Sequence, residues 1–214
     1  MGQGAMHDNL ILPIEPVGVL GAKPNVDLGN VPIMVSPLEL LDGCIHALTC
    51  IGPASKEMSR HYWREPLVLE VLHDEEVDLC GVLLVGSPQI NSEKFYVSKR
   101  VGMIIEALDV DGAFVTTEGF GNNYIDFASH IEQIGMRGIP VVGMSFCDVQ
   151  GNLVVGNKYM THIVDNNKSE AGIENEVLGC NTLCHEDAIR ALYMLKVEIA
   201  GESVAKPEKN GIQM

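Results

Sequence analysis

The densest reactive chemistry of the chain lies in Leu41-Asp42-Gly43-Cys44-Ile45-His46-Ala47-Leu48-Thr49-Cys50-Ile51-Gly52-Pro53. Here Cys50 directly follows Thr49. A thiolate at Cys50 can attack the Thr49 carbonyl and convert the amide to a thioester, if the turn is strained and a donor stabilises the oxyanion. β-Elimination of that thioester would leave a dehydroalanine end, which tautomerises and hydrolyses to a pyruvoyl group. The plainer alternative is a buried or half-exposed thiol in a loop, since thiols that cut their own chain are rare. His46 and His61 flank Cys50 in sequence, and either could serve as base or donor, or be merely structural.

Two further clusters could do chemistry. Glu118-Gly119-Phe120-Gly121-Asn122-Asn123 sits between a strand pattern and a helix pattern. Its glycines hint at a dinucleotide turn, but Tyr124 stands where the third glycine belongs, and Glu118 would press a carboxylate against pyrophosphate. No nucleotide is expected. Glu118, Asn122, Asn123 and Asp126 suit a cationic or amine-bearing small molecule instead, or form a solvated turn with an asparagine helix cap. Cys180 and Cys184-His185 have a zinc-like spacing, with no comparable second pair unless Cys44 and Cys50 supply it, so no metal is expected.

The positioning elements follow from periodicity. Residues 1–37 are rich in proline and glycine and read as an extended arm whose apolar runs, Leu10-Ile11-Leu12 and Val31-Pro32-Ile33-Met34-Val35, lie against this domain or a partner. Ser36-Pro37-Leu38-Glu39 has the form of a helix start, so Cys50 is expected to leave a helix end into a turn. Residues 55–64 read as a polar helix stopped near Pro66, with Trp63 as a packing anchor. The run 79–85 suits a strand of a parallel sheet, with Cys80 buried in it. Helices are expected at 92–108, 124–134 and 186–199, and strands at 112–117 and 139–144, with a further short strand near 151–156. The fold class is therefore α/β: a three-layer, doubly wound, mainly parallel sheet over residues 38–200, with a C-terminal tail from residue 201. Ligands of such folds bind beyond the carboxyl ends of the strands. Three loops belong there, around Ser87, Glu118 and Cys147.

The 214 residues carry a formal charge of −15, with 46% hydrophobic and 20% charged residues. That balance describes a globular domain and argues against nucleic acid or an anionic membrane surface as partner. No apolar run is long enough for a membrane span, and Met1-Gly2-Gln3-Gly4-Ala5-Met6 lacks the features of a signal peptide, so the expected location is the cytoplasm.

Five segments carry a more specific signal: Leu48–Ala54, Ser59–Pro66, Thr116–Asn123, His130–Val142 and Val154–Met160. Together they resemble the D-proline reductase family and, more distantly, component B of the glycine, sarcosine and betaine reductases. The resemblance runs from about Val35 to Lys196. It implies self-cleavage at Thr49-Cys50 and a pyruvoyl group derived from Cys50. It further implies reductive ring opening of D-proline, a small cyclic amine, to 5-aminovalerate, with a selenocysteine-containing partner subunit and other family subunits. No selenocysteine is present in this chain. Only 49 residues precede Cys50, so the chain is expected to be one of the family's short homologues. It either cleaves, or stays whole and serves assembly, maturation or regulation of the reductase.

Overall fold

A computed structural model of the chain describes residues 31–38, 66–117, 122–145, 148, 155–166 and 183–201, together with the backbone pairing of 46–51 and 56–61. The central sheet is built from β5 (Ala113–Thr117), β6 (Val141–Ser145) and β7 (Ile163–Asp165), in that order and all parallel. Every residue of β6 is buried, as its mid-sheet position requires. Successive side chains point to opposite faces, and the cores divide accordingly. Ala113, Val115 and Val141 pack with Val97, Val101, Phe127 and Ile131 of helices α2 (Asn91–Ala107) and α3 (Asn122–Gly135). Val142, Met144 and Val164 pack with Leu67 and Val71 of α1 (Pro66–His73) and Ala188, Ala191 and Leu192 of α4 (His185–Ala200). These layers, helices on a parallel sheet on helices, are the expected α/β architecture.

Close approach on the α2–α3 face depends on two glycines. A Cβ on Gly143 would stand 2.7 Å from the Phe127 ring, and one on Gly102 would stand 2.8 Å from the Gln133 carbonyl oxygen. On the other face, α4 begins at Cys184, whose backbone N–H donates to Asp187 Oδ2 at 3.1 Å, and ends at Gly201 with φ 70°. Cys184 is thus a capping residue. Among the described residues no three His, Cys, Asp or Glu side chains gather to hold a metal; Cys44 and Cys180 lie outside them.

Several expectations need correction. The 79–85 run forms only β4 (Val82–Leu84), which pairs antiparallel with β1 (Ile33–Val35), not parallel within the main sheet. Cys80 is exposed. The end of the arm therefore lies against this domain, with Val35 in a small core beside Val68 and Leu84. His46–Ile51 and Lys56–His61 form an antiparallel hairpin, β2 and β3, where a turn and a polar helix were expected. Cross-strand pairing has overridden helix propensity there. The helix starts at Pro66, which takes the first helical position where its missing N–H costs nothing. The apolar side of α4 is set by Ala188, Ala191, Leu192, Leu195 and Val197, while Ile189 and Ile199 are exposed. Phe95 on α2 is exposed as well. Residues 1–30, Trp63, the 151–154 segment and the tail beyond Gly201 lie outside the described residues.

Candidate functional site

The carboxyl ends of the strands carry a concentration of buried polar groups. Thr117 ends β5, Ser145 ends β6, Asn166 follows β7 and Ser87 follows β4, and all four are buried. Asn166 donates its backbone N–H to the Ser145 carbonyl at 2.9 Å, extending the ladder past the strand end.

From this edge a polar ladder descends between α2 and α3. Lys94 and Asp126 are both fully buried and form an ion pair with Nζ to Oδ2 at 2.5 Å. The Lys94 ammonium also donates to Ser87 Oγ at 3.2 Å. The Ser87 hydroxyl contacts Asp126 Oδ2, and it lies 2.9 Å from Asn123 Oδ1. A hydroxyl has one proton for those two oxygens, so Asp126 takes it and the Asn123 amide turns its NH₂ toward Ser87. One helical turn further, Ser98 Oγ donates to the Lys94 carbonyl at 2.9 Å and stands 2.7 Å from His130 Nδ1. With its proton given to the carbonyl, Ser98 accepts from Nδ1–H, which leaves His130 Nε2 as a bare acceptor. Asp126 Oδ1 and His130 Nε2 are both buried without a hydrogen-bond partner.

Burial dominates the electrostatics. Desolvation raises the Asp126 pKa above the ordinary carboxylate value, against hydrogen bonds from Lys94 and Ser87 that lower it. His130 is pushed down to about 3, chiefly by burial and further by the Lys94 charge, so its ring is neutral at ordinary pH. Taking an ion pair out of water is costly, so the pair is not explained by stability alone. It fixes Ser87, Asn123 and the ends of two helices in a single arrangement at the sheet's binding edge.

Nearby, the buried Tyr124 hydroxyl donates to Asp148 Oδ1. The Asp148 pKa is raised, first by desolvation, with the Tyr124 hydrogen bond opposing and the Asp165 charge adding. Asn122 is exposed at the start of α3 and donates to Gln89 at 3.3 Å. Asn122, Asn123, Asp126 and the Ser87 loop thus meet at one edge. Glu118 lies outside the described residues. Sequence reasoning named Asn122, Asn123 and Asp126 but missed Lys94, Ser98 and His130. A signal was present: Lys94 and Ser98 share the α2 stripe of Val97 and Val101, and Asp126 and His130 share that of Phe127 and Ile134.

Thr49-Cys50 lies within β2 of the hairpin. The register sets Thr49 opposite Met58, Cys50 opposite Glu57, and His46 opposite His61. The two histidines therefore form one rung of the ladder. That rung is four residues, or about 13 Å at strand rise, from Cys50. Among the described residues the hairpin pairs with neither of the other two sheets. A break at Thr49-Cys50 would leave β5–β7 uncut.

Residues 25–152 match the family of glycine/sarcosine/betaine reductase component B subunits. The chain belongs to this family. Over 209 residues, 98% of its length, it is 77% identical to the D-proline reductase proprotein PrdA of Acetoanaerobium sticklandii, covering 33% of that protein. It is 28% identical over 142 residues, 65% of the chain, to the sarcosine reductase complex component B subunit alpha of Peptoclostridium acidaminophilum, covering 31% of it. To the glycine reductase complex component B subunits alpha and beta of the same organism it is 25% identical over 171 residues, 72% of the chain and 37% of that protein. The chain spans about a third of the length of these relatives. It is a D-proline reductase-related sequence, and the 77% identity is to the long proprotein, whereas the chain's length had suggested a short homologue. No solved structure matches it. No helix among the described residues is long and apolar enough to cross a membrane.

Proposed function

We propose that this chain is the cleavable part of a cytoplasmic D-proline reductase. In this reading the Thr49-Cys50 bond breaks and residue 50 becomes a pyruvoyl end. That end works with a selenocysteine-containing subunit in the reductive opening of D-proline to 5-aminovalerate. The observation that carries the reading is the 77% identity to a D-proline reductase proprotein through 98% of the chain. A pyruvoyl carbonyl supplies an electron sink for an amine-bearing carbon.

The chain's own residues would bind and orient the substrate. Glu118 and Asn122, with Asn123 held by Ser87, offer acceptors for the amine at the carboxyl edge of the sheet. The Lys94–Asp126 pair behind them keeps that wall rigid and dry. For cleavage, the Cys50 thiol needs a group to take its proton. The His46–His61 rung, about 13 Å along the ladder, is too far to take it directly, and by register Glu57, opposite Cys50, is the nearer group for that role.

Intact-mass measurement of the chain, expressed alone and with its partner subunits, tests the proposal. The expected result is loss of the 23.2 kDa species in favour of a fragment spanning residues 50–214. Cys50→Ala should abolish the change and Cys44→Ala should leave it. An unbroken 23.2 kDa species under both conditions means that the chain serves the reductase uncleaved.

A further inference from the structure

β4 pairs with β1 and β5 with β6, and among the described residues no ladder joins β4 to β5. Beside those two strands lies a cavity of about 570 Å³, a volume within the range of small-molecule sites. Its walls are apolar. Leu83 and Phe114 line it from the two strands, Leu67 and Leu195 from one helix layer, and Val101 and Ile134 from the other. Leu83 and Phe114 are only partly buried, so apolar surface there is left for an occupant to cover.

Toward the amino ends of the strands the lining changes character. Glu76, Asp78, Asp109 and Asp111 line the cavity there, and the described lining residues include no lysine or arginine. Glu76 is engaged by Lys196. Asp78, Asp109 and Asp111 are exposed, and none of the three makes an ion pair among the described residues. His130, the one imidazole of the lining, is kept neutral at ordinary pH by its burial. The cavity is therefore an apolar slot with a negatively charged mouth.

We propose that this cavity binds a small apolar amine, with the hydrocarbon or aromatic body between the helix layers and the ammonium at the carboxylates. Burial of the body supplies the affinity, and the carboxylates select the sign of the head group. An amino acid would bring its own carboxylate to the same mouth, so the site favours amines that lack one. It lies toward the end of the sheet opposite Ser87 and Asn123, and it goes beyond the reductase reading. The proposal does not depend on cleavage, so it is tested in the full-length Cys50→Ala chain.

Calorimetric titration at low salt would compare phenylbutylamine, its acidic counterpart phenylpentanoate, and methylamine. Phenylbutylamine should bind, phenylpentanoate should bind on the order of 10-fold more weakly, and methylamine, with no body to bury, should give no binding heat. An Asp109→Asn/Asp111→Asn variant should bind phenylbutylamine about fivefold more weakly. Both positions are exposed, and asparagine tolerates the φ of 54° at Asp109. A diazirine-bearing form of the amine should label peptides from 76–85 or 108–116. Failure of phenylbutylamine to bind, equal affinity for the amine and the acid, or undiminished affinity in the double variant would each overturn the proposal. Labelling elsewhere, including 87–89 or 122–126 at the carboxyl edge, would overturn it as well.

Discussion

The two faces of the central sheet are built on opposite plans. Under α1 and α4 the contacts with the sheet are apolar; Asp187 is buried at the start of α4 as part of its cap, and at the rim Lys196 reaches Asp74 at 2.5 Å and Glu76 at 2.6 Å. Under α2 and α3, a lysine, two serines, an aspartate and a histidine are buried in one ladder. The apolar face holds the fold together, with each fully buried aliphatic side chain worth roughly 1.5–3 kcal/mol. The polar face forgoes some of that stabilisation and gains a fixed arrangement at the end of the sheet where ligands bind. Such a division makes the α2–α3 seam the place where specific polar geometry, and not apolar area alone, sets the packing.

Unequal responses to substitution would sharpen this contrast. Asp126→Ala should have the largest effect, because it strands the buried Lys94 ammonium; a loss of about 3–5 kcal/mol in denaturant unfolding is expected. The double variant Lys94→Met/Asp126→Leu should recover most of that loss. A pair that instead proved as costly as the single change would mean that the ladder is a stabilising device after all.

Acid comes next. His130 has a folded pKa of about 3 against an ordinary 6.5. The fold refuses a proton that the unfolded chain accepts, so stability falls as the pH drops below 6.5. Between pH 7 and pH 4 the loss should be roughly 3 kcal/mol. The raised pKa of Asp126 acts in the opposite sense, since the fold takes up that proton first as acid is added. His130→Leu should flatten the acid slope, and pH-dependent urea titrations would show it.

Gly102→Ala should cost about 1–3 kcal/mol by forcing α2 away from the Gln133 carbonyl, read as a lowered midpoint without a changed slope. The smallest effect belongs to the apolar face. Lys196→Met should shift Tm only slightly, and added salt should erase even that difference. The Asp74 pKa, lowered chiefly by the Lys196 hydrogen bond, should rise in this variant, so the stabilisation it gives above the ordinary carboxylate pKa is reduced.

Legibility from sequence followed the same division. α2, β5, α3, β6 and α4 were readable because each has enough residues for its period to show. β7 has three residues and no pattern of its own. The β1–β4 pairing joins residues some 50 positions apart, and nothing local in Ile33-Met34-Val35 names its partner. Lys56-Glu57-Met58-Ser59-Arg60-His61 is composed of tolerable helix formers, and only cross-strand pairing makes it β3. At the site, Asn122, Asn123 and Asp126 stood out because they follow a strand. Lys94 is an ordinary surface lysine until α2 meets α3, 32 residues away in sequence.

The central proposal concerns residue 50 itself. The most direct test is peptide mapping of the fragment beginning there, with and without prior borohydride reduction. A pyruvoyl end, converted by borohydride to a lactyl end, is the expected result. A peptide that runs unbroken through Thr49-Cys50 with its thiol intact, in protein matured beside its partner subunits, would contradict it.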